Sequence, residues 1–293
     1  RVGKKTPAGR PKFTDEQQSV FVPDARLELG PGEPGRQPVA ETKPTPVPAA
    51  TETAPAEGGD SSWSSIVSGE AIEDEVKSYV PTVTENTRSL NAFKSGGYQE
   101  IRDSYSVLAM LFGVIAQYDG DVRWKDEAAG MRAALSRAGF NCKVATDASF
   151  KESKLRGEDL ATLVRGGFPE LPEAPTIPED GWASVTDRPP LMKRMEQSQR
   201  GRLNVWTSSA GEFDSNYDDL LREANMLRLM TEVIRDPSYE YSEDELYLEY
   251  VDAMRTHCDE LIEAIEQDRF EEAQSAVRMI NQQCDNCHGD YRG

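Results

Sequence analysis

Beyond residue 60 apolar residues recur at steps of three and four, the period of helices that turn one face to a core. In the last third of the chain four helices can be placed. The first is predicted to open near Asp187, with Pro189 and Pro190 in its first turn, and to run to about Ser209. The second follows Asp214, carries Leu220, Ala224, Leu227, Thr231 and Ile234 on one face, and stops at Asp236-Pro237. The third opens on a capping box, Ser242 with Glu245, and is expected to bury Leu246, Tyr250, Met254, Cys258, Leu261 and Ile265. The fourth carries Phe270, Ala273, Val277, Ile280, Cys284 and Cys287, so its apolar stripe runs into two thiols. Four such helices with short connections predict an antiparallel bundle.

The unit occurs twice. At a shift of 119, Trp63-Ser64-Ser65-Ile66-Val67 falls on Trp182-Ala183-Ser184-Val185-Thr186, Tyr98 on Tyr217, Ile101 on Leu220, Leu108 on Leu227, and Val114-Ile115 on Val233-Ile234. At a shift of 120, Phe150 falls on Phe270. The fold class expected is all-α, two tandem antiparallel four-helix bundles over residues 60–170 and 181–293, joined by a linker at 171–180. Residues 1–59 hold ten of the eighteen prolines among Ala, Thr, Glu and Gly, with no apolar period over 36–59. They read as a disordered tether. The longest apolar run, Val107–Ala116, is about half the roughly 18 residues a spanning helix needs. The chain opens on Arg1, which fits a mature or truncated form with a signal peptide or membrane anchor upstream.

Composition changes the picture in one respect. A net charge of −19 argues against nucleic acid and anionic lipid surfaces, and a protein partner is expected to present a basic face. Solvation of the surface accounts for such acidity equally well.

The chemistry lies at the end of the chain. Cys284-Asp285-Asn286-Cys287-His288 has the form of a c-type haem attachment site, in which two thiols add to the haem vinyl groups and the adjacent imidazole ligates iron. On a helix these three side chains lie three and four positions apart and project toward one side. A redox dithiol would want a βαβ context, and a zinc site would need further ligands, for which the chain offers only His257, Cys258 and Cys142. A disulfide is the remaining alternative. In the first copy the positions aligned with Cys284, Cys287 and His288 are Val164, Gly167 and Phe168, so that copy is expected to be haem-free, a packing or docking module. The haem is expected to complete the second bundle's core, leaving its apo form loose or molten.

The motif continues Gly289-Asp290-Tyr291-Arg292 and resembles the cytochrome c prime family of four-helix-bundle c-type cytochromes, over roughly residues 186–293. The resemblance implies one covalent haem c, with Cys284 and Cys287 in thioether links, His288 as proximal iron ligand, and Tyr291 and Arg292 beside the proximal pocket. It implies a bacterial periplasm or equivalent extracytoplasmic site, membrane-tethered if the segment upstream is an anchor, and it raises the homodimer as an oligomeric form. The long tether and the second, haemless copy depart from the family.

In that family the first helix furnishes the distal face. Here Met192 and Met195 are candidate sixth ligands, with core packing as the plain alternative, and Leu191 is the natural blocker if neither binds. Gly201, inside the same helix, reads as a tolerated defect in preference to a site of close approach. His257 is placed off the apolar stripe, and Cys142 and Cys258 read as buried free thiols. Enzymatic turnover is not expected: no Ser/His/Asp set is available with His288 on iron, no Gly-rich phosphate loop opens a helix, and Arg194 is a poor candidate for a distal peroxidase arginine. The first expectation is electron transfer. Binding of small gases at a five-coordinate haem, and an interaction scaffold with structural haem, are the alternatives.

Overall fold

A computed structural model describes residues 62–292. The tether read over 1–59 lies outside the described residues. Within them every regular element is helical and none is a strand. The long helices are α1 Gly69–Thr87, α2 Tyr98–Gln117, α3 Lys125–Asn141, α4 Asp147–Val164, α5 Arg188–Glu196, α6 Tyr217–Ile234, α7 Glu245–Glu266 and α8 Phe270–Tyr291. The helix of α5 continues through π-helical Gln197–Leu203 and a last turn, Asn204–Trp206.

Local chemistry sets the boundaries. Ser68 accepts from the Ala71 N–H at the start of α1, and Thr146 and Ser149 form a reciprocal capping box at α4. Pro189 and Pro190 occupy the first turn of α5, as predicted. Helix α7 starts later than predicted: its cap is Asp244, whose carboxylate accepts from the Leu246 N–H at 3.0 Å, while the Ser242 hydroxyl donates to the Pro237 carbonyl. Leu246 turns outward, to 41% exposure, and Tyr250 is half-buried, because successive steps of four back from Met254 drift about 40° each off the buried face. Tyr247 and Val251 take the inward positions instead, in register with Met254, Cys258, Leu261 and Ile265.

Helix α2 packs on α1 and α3, α4 on α1 and α3, α7 on α6 and α8, and the π-helical segment on α6 and α8. Helix α2 also packs on α5, and α1 on α6. The buried apolar residues from Ile66 to Ile280 form one contiguous cluster.

The same contacts recur along the chain. The Ser64 N–H donates to Asp119 Oδ1 at 2.9 Å, and the Ala183 N–H, 119 residues on, donates to Ser238 Oγ at 2.9 Å. Thr87 Oγ1 donates to the Val83 carbonyl and Thr207 Oγ1 to the Leu203 carbonyl, both at 2.7 Å. The rings of Phe93 and Phe150 lie 5.6 Å apart, and those of Phe213 and Phe270 5.8 Å. Two equivalent pairs touch one another: Trp63 meets Trp182 edge to face at 5.7 Å, and Glu75 pairs with Arg194 at 2.9 Å.

The first half fills its own interior, with Phe93, Tyr105, Phe112 and Met131 all fully buried. Helix α4 ends at Val164, so Gly167 and Phe168 lie beyond it, with Phe168 85% exposed.

Candidate functional site

The second half encloses a cavity of about 490 Å³ between α5, α7 and the last two turns of α8. This lies within the range of roughly 300–1,000 Å³ for pockets that enclose a small organic molecule. Helix α8 presents Cys284, Cys287, His288, Tyr291 and Arg292 to it. Helix α5 presents Met192 and Met195. Every residue that the sequence proposed for cofactor attachment or ligation therefore lines one space.

The geometry of each helix explains the selection. On α5, Arg188, Met192, Met195 and Gln199 follow helical spacing along one face, and all line the cavity. Leu191 falls on another face and is fully buried in the core, so it does not cover this space. That corrects its expected part as the distal blocker. Arg194 is likewise turned away, buried between Glu75 and Glu223. His257 is set aside from the cavity, with its Nδ1 2.8 Å from Glu260 Oε2. Gly201 approaches nothing, since a Cβ built there meets no atom within 4 Å. Cys142 and Cys258 are free and buried, and Cys142 Sγ lies 3.1 Å from Ser153 Oγ.

The walls are apolar: Ile234 from α6, Tyr247, Val251 and Met254 from α7, and Met195 from α5. The rim carries the cations Arg188, Lys193, Arg200 and Arg292 beside the carboxylates Glu196 and Asp285; Arg200 pairs with Glu196 at 3.5 Å and Lys193 with Asp103 at 2.5 Å. Burial pushes the Cys284 thiol up to about 11, with Asp285 and Cys287 adding to the rise and Arg200 opposing it. Burial also raises the Cys287 thiol, against the nearby Arg188 guanidinium. The Arg188 guanidinium lies 5.2 Å from the Tyr247 ring centre and 5.5 Å from that of Tyr239, and it donates to the Glu240 carbonyl. Tyr291 stacks edge to face on Tyr247 at 5.6 Å, and Tyr250 donates to Asp290 at 2.7 Å. Burial, with Asp244 as an acceptor, pushes the Tyr291 hydroxyl up to about 12.

This donor set fits a haem. Two thiols on an apolar wall match the vinyl edge of a macrocycle, His288 on the same helix offers an imidazole, and rim cations match its carboxylate side chains. It fits zinc less well. A closed zinc site needs four ligands, but the cavity wall adds only His288 to the two thiols as a strong nitrogen or sulfur donor. Among the described residues no three His, Cys, Asp or Glu side chains converge as a metal centre.

The cations Arg188, Lys193 and Arg200 and the walls Val251 and Tyr247 were not read from the sequence. Arg188 had a signal: it stands four residues before Met192 and so shares its face. On α7, Met254 was read as inward, but Val251 and Tyr247 were missed because the steps back from Met254 are three and four and not four and four. No family model, curated protein or solved structure compared with the chain matches it.

Proposed function

We propose that this protein is a c-type cytochrome with one covalently attached haem, acting as an electron carrier on the outer side of an energy-transducing membrane. The observation that carries the reading is the convergence of Cys284, Cys287, His288, Met192 and Met195, from two helices, on one cavity. When bound, haem supplies one-electron exchange at its iron.

The side chains divide the remaining work. Cys284 and Cys287 fix the group to α8, and His288, on the same helical end, sets its orientation. Met192 or Met195 would offer a thioether to the iron from α5, and Tyr247, Val251, Met254 and Ile234 would keep water from the group. Arg188 and Arg200 balance the negative charge of the group's carboxylates. Recurrence of the same hydrogen bonds and ring pairs at a shift of 119–120 supports two tandem four-helix bundles, the first without haem. We place the tether of residues 1–59 upstream of them.

The test is an absorption spectrum of the purified holoprotein, oxidised and reduced, with and without carbon monoxide. Sharp reduced bands that carbon monoxide leaves unmoved are expected for a six-coordinate, Met-ligated iron, and Met192→Ala or Met195→Ala, whichever removes the ligand, should convert them to a high-spin form. A high-spin wild-type spectrum that shifts with carbon monoxide overturns the carrier role in favour of gas binding. A preparation without a Soret band overturns haem altogether.

A further inference from the structure

One acidic stretch lies beside the cavity. Of the ten residues from Glu240 to Glu249, five are carboxylates and none is basic. Glu240, Glu243, Asp244, Glu245 and Glu249 are all exposed and flank Tyr241 and Leu246 along the chain, each of these two 41% exposed. Tyr241 is held at φ +70°, a left-handed conformation costly for a bulky side chain. Its ring lies 5.0 Å from that of Tyr291, which lines the cavity, and 5.7 Å from the Arg188 guanidinium. One aromatic contact therefore separates the surface from the cavity wall.

The first half provides an internal comparison. Its connection between α2 and α3 also holds an aromatic residue at positive φ, Trp124 at +64°, but there the ring is buried and the indole N–H donates to the Leu163 carbonyl. That segment mixes Arg123 and Lys125 with Asp121, Asp126 and Glu127. The same backbone device is turned inward under mixed charge in one half, and outward among flanking carboxylates in the other.

We infer that the Tyr241–Leu246 patch is the docking surface through which the cofactor exchanges electrons with a redox protein whose complementary face is basic. The inference rests on the haem reading above. An apolar centre inside a charged rim is the anatomy of a transient interface, and the rim speeds encounter with an oppositely charged partner. Charge that served solubility alone would not require a strained, outward tyrosine at its centre.

The test uses the full-length holoprotein, its Soret band recorded first, and follows electron exchange with a lysine-rich c-type cytochrome by stopped flow across a range of ionic strength. The triple variant E243Q/E245Q/E249Q spares Asp244, which caps α7, and is expected to slow exchange by roughly tenfold at low salt, with rates converging as salt screens the rim. L246S is expected to slow exchange several-fold without changing the salt dependence. Reduction by dithionite, which needs no docking, should be unchanged in both variants. A Soret band with wild-type exchange rates in both variants overturns this inference alone. Absence of a Soret band overturns the haem reading and the inference together.

Discussion

Cys284 and Cys287 lie where burial slows a thiol's reaction before anything is attached. Thiolate is the nucleophilic form, so a rise from the ordinary value of 9 to about 11 lowers the reactive fraction of Cys284 at neutral pH by roughly a hundredfold. In an apo preparation at pH 7.5 that keeps this packing, iodoacetamide is expected to label Cys287 first, Cys284 more slowly, and the fully buried Cys142 and Cys258 only after denaturation, whereas Cys258 labelling alongside Cys287 would mark the loose apo bundle expected from the sequence. Mass spectrometry of timed samples reads the order, and labelling of Cys284 at the rate of free cysteine would falsify the burial argument. The sign with pH follows from the same shift. A thiol raised in the fold contributes stability that is whole below pH 9 and is lost as pH climbs through about 11, so the apo chain should weaken on the alkaline side. In the haem-loaded protein two thiols are then engaged, and denaturation should expose two titratable sulfhydryls, not four.

Helix periods carried most of the element-scale reading, and the places where they failed are places where a neighbour decided the outcome. Long, strongly periodic segments such as α6 and α8 were legible because each buries one stripe: Leu220, Ala224, Leu227, Thr231 and Ile234 are all inside, as are Ala273, Val277 and Ile280. The start of α7 was not legible, since Ser242 and Asp244 both offer a capping oxygen and nothing in the periodicity chooses between them; Asp244 takes the Leu246 N–H. Tyr247 then fills the space assigned to Leu246. Tyr247→Ala is expected to cost about 3–5 kcal/mol and Leu246→Ala within about 0.5 kcal/mol in chemical denaturation, and equal costs would return the helix to its predicted register. The π-helical turn at 197–203 was likewise invisible, because wide turns leave no mark in a 3.6-residue period. Gly201 lies within it, facing open space, so Gly201→Ala should add about 1 kcal/mol to stability, read as a thermal midpoint raised by a few degrees. A fall in the midpoint would mean that the turn needs glycine.

At the scale of the whole molecule, the duplication that we propose finds support where equivalent residues meet. Helix α2 packs on α5 and α1 on α6, the two reciprocal contacts that a two-fold relation generates, and Trp63 meets its equivalent Trp182. Glu75 and Arg194 also stand 119 residues apart, and in the proposed duplication the two copies carry opposite charges there. Glu223 joins them, accepting from Arg194 at 2.9 and 3.0 Å, with Ser198 donating to the same carboxylate at 2.8 Å. All three charges are at least 95% buried. Burial alone would raise the Glu223 carboxyl, yet Arg194 overrides it and holds the group below its ordinary range. A group lowered in the fold gives stability that is whole above its ordinary value and is lost as pH falls through the lowered one, so acid should weaken the Arg194–Glu223 pair. Arg194→Met removes the shared cation and leaves two carboxylates buried, at an expected cost of about 3–5 kcal/mol near pH 7. In that variant Glu223 keeps only Arg202 as a charged partner, and burial now favours its neutral form. The deficit against wild type should therefore shrink as pH is lowered toward 5, where protonation relieves the variant. Replacing Arg194, Glu75 and Glu223 together with Met, Leu and Leu should recover most of the loss, because no charge remains to desolvate. Denaturation curves of the three proteins at pH 7 and pH 5 decide the matter, and a deficit independent of pH would show that Arg194 holds the halves together by packing and not by charge.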